Sequence, residues 1–158
     1  MAAVNTWQFT TVHHLGLTVA DLERSIRFYR DVLGLTLAAR RLADADYVGQ
    51  QVGQPDLRLD VASFCLAPDC DVLLQMAQYL NFAGPPSDQA TNRPGNTHLC
   101  LVVDDIHAAY RDLKAKGVTF KTEPIEITAG PHKGGWGVYL LDPDGYTLEL
   151  HQRPPAGL

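Results

Sequence analysis

The sequence predicts an α+β fold built from two tandem copies of one unit, a strand, a helix and three further strands. The segment starting at His14, HLGLTVADLERSIRFYRDVLGLTL, aligns with the segment starting at His98, HLCLVVDDIHAAYRDLKAKGVTF, with one gap. The ends of the two copies also align, because VLLQMAQ (72–78) matches YTLELHQ (146–152). Self-similarity of this extent indicates a duplicated βαβββ unit.

Hydrophobic periodicity assigns the first elements of each copy. Residues 12–19 and 97–103 alternate apolar and polar side chains, which is typical of a strand with two different faces. A helix is predicted after each strand, because apolar residues then recur every three or four positions until a glycine, Gly34 or Gly117. The stripes consist of Leu22, Ile26, Tyr29 and Leu33 in the first copy and Ile106, Ala109, Tyr110 and Leu113 in the second.

Three further strands complete each copy. We predict them at approximately 35–41, 59–67 and 71–79, and again at 118–127, 137–142 and 146–152. The DPDG sequence at 142–145 is a tight-turn signal between the last two strands.

The two copies are expected to form one domain over residues 1–158. Module 1 covers about 9–79, a Pro/Gly/Asn-rich linker without periodicity covers 80–96, and module 2 covers about 97–152. A helix is expected to cover one face of each sheet, and the other faces are expected to curl around a shared cleft.

Composition and charge narrow the classes of function. The chain has 158 residues, of which 46% are hydrophobic and 20% charged, as in ordinary globular proteins. Its formal net charge is -5 and its basic residues form no run, so we expect a small-molecule substrate and neither a nucleic-acid nor a membrane partner. The start of the chain does not resemble a signal peptide and no apolar run could span a bilayer, which predicts a cytoplasmic protein.

The three cysteines are predicted to be free. Cys65, Cys70 and Cys100 are odd in number and lack paired spacing. Neither a disulfide framework nor a structural zinc site is indicated, so we expect reduced, mostly buried thiols.

Alternation along the strands selects the side chains that face the cleft. In VHHLGLTV (12–19) the apolar residues are predicted to face the helix, which places His14 in the cleft and His13 in the core or at its rim. The same reasoning places His98 and Cys100 in the cleft. On the final strands of the two copies, the residues facing the cleft are Gln75, Glu149 and His151.

Four repeat-related polar side chains are therefore predicted to share one cavity: His14, Gln75, His98 and Glu149. A carboxylate buried beside imidazoles needs a compensating charge, which a divalent cation supplies while neutral histidine nitrogens bind it. Such nitrogen and oxygen ligands suit Fe(II), Mn(II), Co(II), Ni(II) or Zn(II), and the residues do not separate these metals. A structural role for each histidine is the alternative, but it must account for four related positions at once.

Four stretches carry a family resemblance: HHLGLTVADLERSIRFYRDVLG, LLQMAQYL, THLCLVVDDI and GGWGVYLLDPDGYTLELHQ. Over roughly residues 9–152 the chain resembles the vicinal oxygen chelate superfamily, which includes glyoxalase I, methylmalonyl-CoA epimerase, extradiol dioxygenases and the fosfomycin and bleomycin resistance proteins. The resemblance implies a cupped mixed sheet around a metal, the glyoxalase/bleomycin resistance/dihydroxybiphenyl dioxygenase fold, and a homodimer. The ligand positions that it implies are His14, Gln75, His98 and Glu149.

The ligand order His, Gln, His, Glu is similar to that of methylmalonyl-CoA epimerase, whereas bacterial glyoxalases usually have glutamate second. This similarity implies a lyase or isomerase in which the metal stabilises an enolate as a proton leaves the neighbouring carbon. Glu149, the only carboxylate of the set, is the candidate base. The additional glutamate base of the epimerase has no match, since no glutamate occurs between Glu23 and Glu123.

An extradiol dioxygenase is the second function that the resemblance implies. The stretch 130–149, GPHKGGWGVYLLDPDGYTLE, is similar to the dioxygenase signature, with His132 and Tyr139 as candidate catalytic residues. Fe(II) would then be bound by His14, His98 and Glu149. The acid-base histidine expected between His14 and His98 is missing, which ranks this function second. A non-catalytic drug-binding protein ranks third, because such members often lack the metal residues that are present in this chain.

Other residues are candidates for substrate contact or for support of the site. Tyr47, Arg58, Lys133 and Trp136 are predicted on loops that could contact substrate, although exposed loops also hold such residues for solubility. His151 could act beside Glu149 or cap the strand end. For His132 and Tyr139 the alternative is an ordinary loop residue and an ordinary strand aromatic.

Overall fold

The structure contains two mixed β-sheets, each in its own compact unit of the chain. It is a computed structural model that describes residues 6–66 and 69–155. Unit 1 comprises the residues up to Leu22 together with Leu35–Phe82, and unit 2 comprises Glu23–Gly34 together with the residues from Ala83 onward. The predicted α+β class is confirmed. Within the described ranges, no helix is long and apolar enough to cross a bilayer.

Unit 1 contains a four-stranded sheet. Its strands are β1 (His14–Thr18), β2 (Leu37–Ala43), β3 (Leu59–Cys65) and β4 (Leu73–Tyr79). They lie in the order β1-β4-β3-β2, in which β1 is parallel to β4 and the other neighbours are antiparallel. The strands predicted at 35–41, 59–67 and 71–79 are all present with shifted ends, and residue 67 lies outside the described ranges.

Two helical elements lie between these strands. Helix α1 (Leu22–Ile26) continues as a π-helical stretch over Arg27–Val32, and Gly34 follows with a φ of 79°, as expected for a glycine that ends a helix. Helix α2 (Asp46–Val52) lies between β2 and β3 and is not predicted by the sequence. Its Val48 packs into the small core of unit 1.

The helical segment after β1 packs in unit 2, which differs from the expectation that it covers the first sheet. Residues 23–34 belong to unit 2, where the buried Tyr29 hydroxyl donates a hydrogen bond to Asp142 Oδ2 at 3.1 Å. Arg24 forms an ion pair with Asp144 at 2.5 Å. The DPDG turn thus supplies acceptors for polar groups of this segment, and buried polar groups need such partners.

Unit 2 contains five strands and one helix. The strands are β5 (Leu99–Val102), β6 (Thr119–Phe120), β7 (Ile125–Glu126), β8 (Trp136–Leu141) and β9 (Thr147–Gln152). Four follow the order β5-β9-β8-β6, and β7 pairs with β8. The single strand predicted at 118–127 is therefore two short strands, because Pro124 has no N–H to offer a ladder. Helix α3 (Ile106–Ala115) begins after Asp105, whose side chain accepts a hydrogen bond from the Ala108 N–H at 2.9 Å.

Repeat-related glutamines fix the start of each predicted helix. The side-chain oxygen of Gln78, at the end of β4, accepts the Leu22 N–H at 2.9 Å. The side-chain oxygen of Gln152, at the end of β9, accepts the Ile106 N–H at 2.8 Å. Both bonds satisfy a helix N–H group that has no partner within its own helix. The duplicated sequence thus encodes a duplicated strand-to-helix contact.

Replacement of Gln152 by alanine is expected to lower the free energy of unfolding by about 1 kcal/mol, as for the loss of a helix N-terminal acceptor. Urea denaturation of the purified protein measures this effect. Gln51→Ala, which shortens an exposed glutamine of α2, is the matched control and should change stability little. Equal stability of the two variants would contradict the capping role.

The prediction of three free thiols is wrong for two of them. Cys65 and Cys70 form a disulfide, with a Cα–Cα distance of 4.6 Å and a sequence separation of 5. The return of the chain from β3 to β4 brings the two residues together, and spacing alone did not indicate that turn. Cys100 is free, as predicted, but it is exposed rather than buried.

Candidate active site

The open face of the unit 2 sheet carries the predicted functional residues of the second copy. Parallel pairing of β5 with β9 places Cys100 beside Glu149 and Val102 beside His151. On the opposite face, Leu148 and Leu150 are buried. The alternation predicted for these strands is therefore confirmed.

An imidazole and a carboxylate meet on this face. His98 Nε2 lies 3.1 Å from Glu149 Oε2, with side chains that are 40% and 23% exposed. Tyr139 lies opposite Glu149 on β8, and its ring contacts the His98 ring edge-on at a centroid distance of 5.4 Å. His98, Tyr139 and Glu149 thus form one contiguous cluster.

The Cys100 thiol and the Tyr139 phenol beside Glu149 remain protonated at neutral pH. Partial burial, the charge of Glu149 and a hydrogen bond to Glu149 raise the pKa of the Cys100 thiol to about 11. Burial and the same carboxylate also raise the pKa of Tyr139. Cys100 is therefore a poor thiolate ligand or nucleophile, and the Tyr139 phenol is available as a hydrogen-bond donor.

The predicted residues of the first copy lie on one face of the unit 1 sheet, where Ala77 and Tyr79 pack against the core that includes Val48 of helix α2. Gly16 on β1 pairs with Gln75 on β4, so that His14, two residues before Gly16, shares the face of Gln75. Leu74 and Met76 are buried on the other face. The sequence predicted this arrangement of faces.

His13 lies outside the core. The sequence analysis placed it in the core or at the rim of the core, and the first of these two positions is wrong. The residue is exposed, and its Nδ1 lies 2.7 Å from Nδ1 of the neighbouring His14. One ring nitrogen donates to the other, so Nε2 is the nitrogen of His14 left to bind a ligand.

A cavity of about 770 Å³ lies beside Glu149 in unit 2. It is lined by Cys100, Val102, His132, Glu149, His151, Arg153 and two prolines. The His132 and His151 rings contact each other edge-on at a centroid distance of 5.1 Å. Two candidates of the sequence analysis therefore lie in the wall of one cavity with Glu149.

The four residues proposed to contact substrate from loops are placed differently. Arg58 and Lys133 are exposed and outside regular secondary structure, as expected. Tyr47 is exposed on helix α2, so its loop assignment is wrong. Trp136 is the first residue of β8, and its ring contacts the His107 ring of α3 at a centroid distance of 4.6 Å. Trp136 pairs with Gln152 and so faces away from Glu149, because strand side chains alternate.

A family model described as the Glyoxalase/Bleomycin resistance protein/Dioxygenase superfamily matches residues 11–150. The chain belongs to this superfamily. It is 32% identical over 152 residues to a 2-epi-5-epi-valiolone epimerase of an Actinomyces species, covering 90% of this chain and 79% of that protein. It is also 31% identical over 145 residues to a lactoylglutathione lyase of Arabidopsis thaliana, covering 90% of this chain but only 44% of that longer enzyme.

A solved structure shares the fold of this chain. A glyoxalase family protein from Bacillus cereus superimposes with a TM-score of 0.81 at 17% identity, covering 96% of this chain and 99% of that one. The resemblance to the glyoxalase and dioxygenase superfamily and the predicted fold class are therefore confirmed.

The donor atoms of His98 and Glu149 are of the kinds that bind a divalent metal. His98 and Glu149 bring an imidazole nitrogen and a carboxylate oxygen within 3.1 Å of each other, as two ligands of one cation would be. Gly137 on β8 has no side chain and leaves space beside Glu149. A Cβ atom added to Gly137 would lie 3.7 Å from Glu149 Oε1. Among the described residues, no group of three or more His, Cys, Asp or Glu side chains is gathered as a metal site.

Sequence reasoning did not single out Arg153 in the cavity wall. Alternation contained the signal, since Arg153 lies two positions after His151 and four after Glu149. The strand predicted from the sequence ends at residue 152 and therefore does not include Arg153. The two glutamines that hold the helix starts were aligned as repeat partners, but their role requires the three-dimensional contact.

Proposed function

We propose that this superfamily member is a metal-dependent lyase or isomerase that acts on a small oxygenated substrate by proton transfer. The observation that carries the proposal is the His98–Glu149 pair at 3.1 Å beside a cavity of about 770 Å³. Enzymes of both classes occur among relatives that are about a third identical, a valiolone epimerase and a lactoylglutathione lyase.

The proposed ligands of the cation are the four that the family resemblance implies: His14, Gln75, His98 and Glu149. Within unit 1, His14 and Gln75 share a sheet face. Within unit 2, His98 and Glu149 are in contact. When bound, the metal supplies Lewis-acid stabilisation of the negative charge that develops on a substrate oxygen.

Glu149 is the proposed base. Its Oε2 contacts His98, and the lack of a side chain at Gly137 leaves space at Oε1 for the carbon that gives up the proton. The protonated Tyr139 and Cys100 beside it add no further negative charge. A single carboxylate near neutral donors can accept a proton from a carbon and return it, on the same side of the substrate, to that carbon or to its neighbour.

Metal analysis of the purified protein, followed by assays on a hemithioacetal, a 2-methyl-branched acyl thioester and a cyclic 2-hydroxy ketone in D₂O, tests the proposal. We expect one divalent ion per chain and incorporation of deuterium at the carbon next to the carbonyl of at least one substrate. Stable metal without turnover or exchange on any of them would contradict the proposed reaction. A homodimer is also proposed, and light scattering of the same sample tests it.

An Fe(II)-dependent extradiol dioxygenase is the second candidate. It is favoured by the edge-on contact of Tyr139 with His98 and by the position of His132 in the cavity wall. Oxygen uptake with ring cleavage of a catechol would select this candidate over the first.

Gln75→Ala separates the two candidates. For a lyase or isomerase with four protein ligands we expect a loss of kcat/KM of about a hundredfold or more, whereas an oxygenase with three protein ligands should lose little. Steady-state kinetics on the substrate identified above provide the measurement. Gln51→Ala, which shortens an exposed glutamine of helix α2, is the control and should keep the activity of the unaltered protein.

A further inference from the structure

We propose that the cavity beside Glu149 contains a subsite for the carboxylate of a small organic acid, held by Arg153 and His151. The subsite deepens the proposed function by naming its substrate class, and it rests on that function only for the reaction at the far end of the substrate. All the residues that form it lie in unit 2.

The first observation is an orphaned nitrogen in the cavity wall. Nε2 of His151 is buried and has no hydrogen-bond partner among the described residues. A buried polar atom without a partner destabilises the folded protein, which favours a ligand atom that completes the bond. The ring that contacts His151 belongs to His132, which lies in an exposed turn of the same cavity wall.

The second observation is an uncompensated positive charge. Arg153 lines the cavity and forms no ion pair with any described residue. The carboxylate of Glu149, the acidic group of the same wall, already lies against His98. The cavity therefore offers a guanidinium whose fork of N–H groups matches the two oxygens of a carboxylate.

The third observation concerns the rest of the wall. Val102, Pro154 and Pro155 give the cavity an apolar side, and its volume of about 770 Å³ lies in the range of small-molecule sites. A molecule with a carboxylate and a short carbon chain fits this mixture better than an inorganic oxyanion. Its oxygenated carbon would extend toward Glu149, where the proposed reaction takes place.

Binding of lactate, its neutral amide lactamide and inorganic phosphate, followed by NMR titration of the full chain, tests the subsite. We expect lactate to bind about tenfold or more tightly than lactamide, and more tightly than phosphate. Arg153→Gln should weaken lactate binding about tenfold or more and leave lactamide binding unchanged, with His151→Gln as a milder variant. Arg111→Gln, which removes an exposed arginine of α3, should keep the original affinities.

Equal binding of lactate and lactamide, or lactate binding that survives Arg153→Gln, would overturn the subsite. Tighter binding of phosphate than of lactate would overturn the assignment to carboxylates. The titrations are run on protein as purified and after treatment with a chelator. Selective lactate binding in chelator-treated protein without any turnover of the loaded protein would refute the proposed reaction and retain the subsite. Turnover of a substrate without selective lactate binding would refute the subsite and retain the proposed reaction.

Discussion

Glu149→Gln is expected to lower kcat/KM by about a hundredfold or more, the largest effect on activity that the account predicts. The amide has nearly the same shape as the carboxylate but lacks the charge that attracts a cation and the basicity that accepts a proton. Steady-state kinetics and metal content of the two proteins measure the effect.

The matched control for this variant is Glu126→Gln. Glu126 is exposed on β7 and lies outside the cavity wall, so its replacement removes the same charge from the same unit. Its activity should stay close to that of the unaltered protein. Activity of Glu149→Gln at the level of this control would remove Glu149 from the mechanism.

Asp142→Ala is expected to have the largest effect on stability, about 2–4 kcal/mol of unfolding free energy. Asp142 is buried, and its carboxyl group accepts hydrogen bonds from the Tyr29 hydroxyl and from the N–H groups of Asp144 and Tyr146. Alanine removes all three acceptor contacts in the turn that binds the segment 23–34. Urea denaturation at neutral pH is the measurement, and a loss below about 1 kcal/mol would contradict the anchoring role.

Asp142→Asn gives the same site a pH-dependent signature. Burial is the main reason why the pKa of Asp142 is raised above its ordinary value of 3.8 in the folded protein. The folded state then binds more protons than the unfolded state between 3.8 and the raised pKa, so the contribution of Asp142 to stability falls as pH rises through that window.

Asparagine retains the acceptor oxygen and does not ionise. The stability of Asp142→Asn relative to the unaltered protein should therefore increase as pH rises through the same window. Urea denaturation of both proteins at a series of pH values tests this, and a difference that is independent of pH would show that Asp142 does not titrate as described.

Strand alternation made the faces of the sheets predictable. The period of two in VHHLGLTV and in YTLELHQ fixes which side chains share a face, because a shift of one residue would expose Leu148 and Leu150. The duplication then related each position in one copy to its counterpart in the other. His98, Glu149 and His151 consequently lie on the predicted face.

Other features depend on contacts that a one-dimensional pattern does not contain. The seven residues of α2 include Gly49 and two valines and show no extended apolar stripe, so they carry no helix signal. The helical segment 23–34 has a clear stripe, but the stripe does not specify which sheet it covers. Here the acceptors of the DPDG turn bind it through Tyr29 and Arg24.

Calorimetric titration of chelator-treated protein with Zn²⁺ tests whether the four proposed ligands bind one cation. The titration is repeated on alanine variants of His14, Gln75, His98 and Glu149. We expect one ion per chain and a loss of affinity of about tenfold or more in every variant, because all four side chains are proposed to donate to the same cation. Unchanged affinity in His14→Ala and Gln75→Ala, with loss confined to the other two, would contradict a shared ion and leave the two halves of the duplication without a common function.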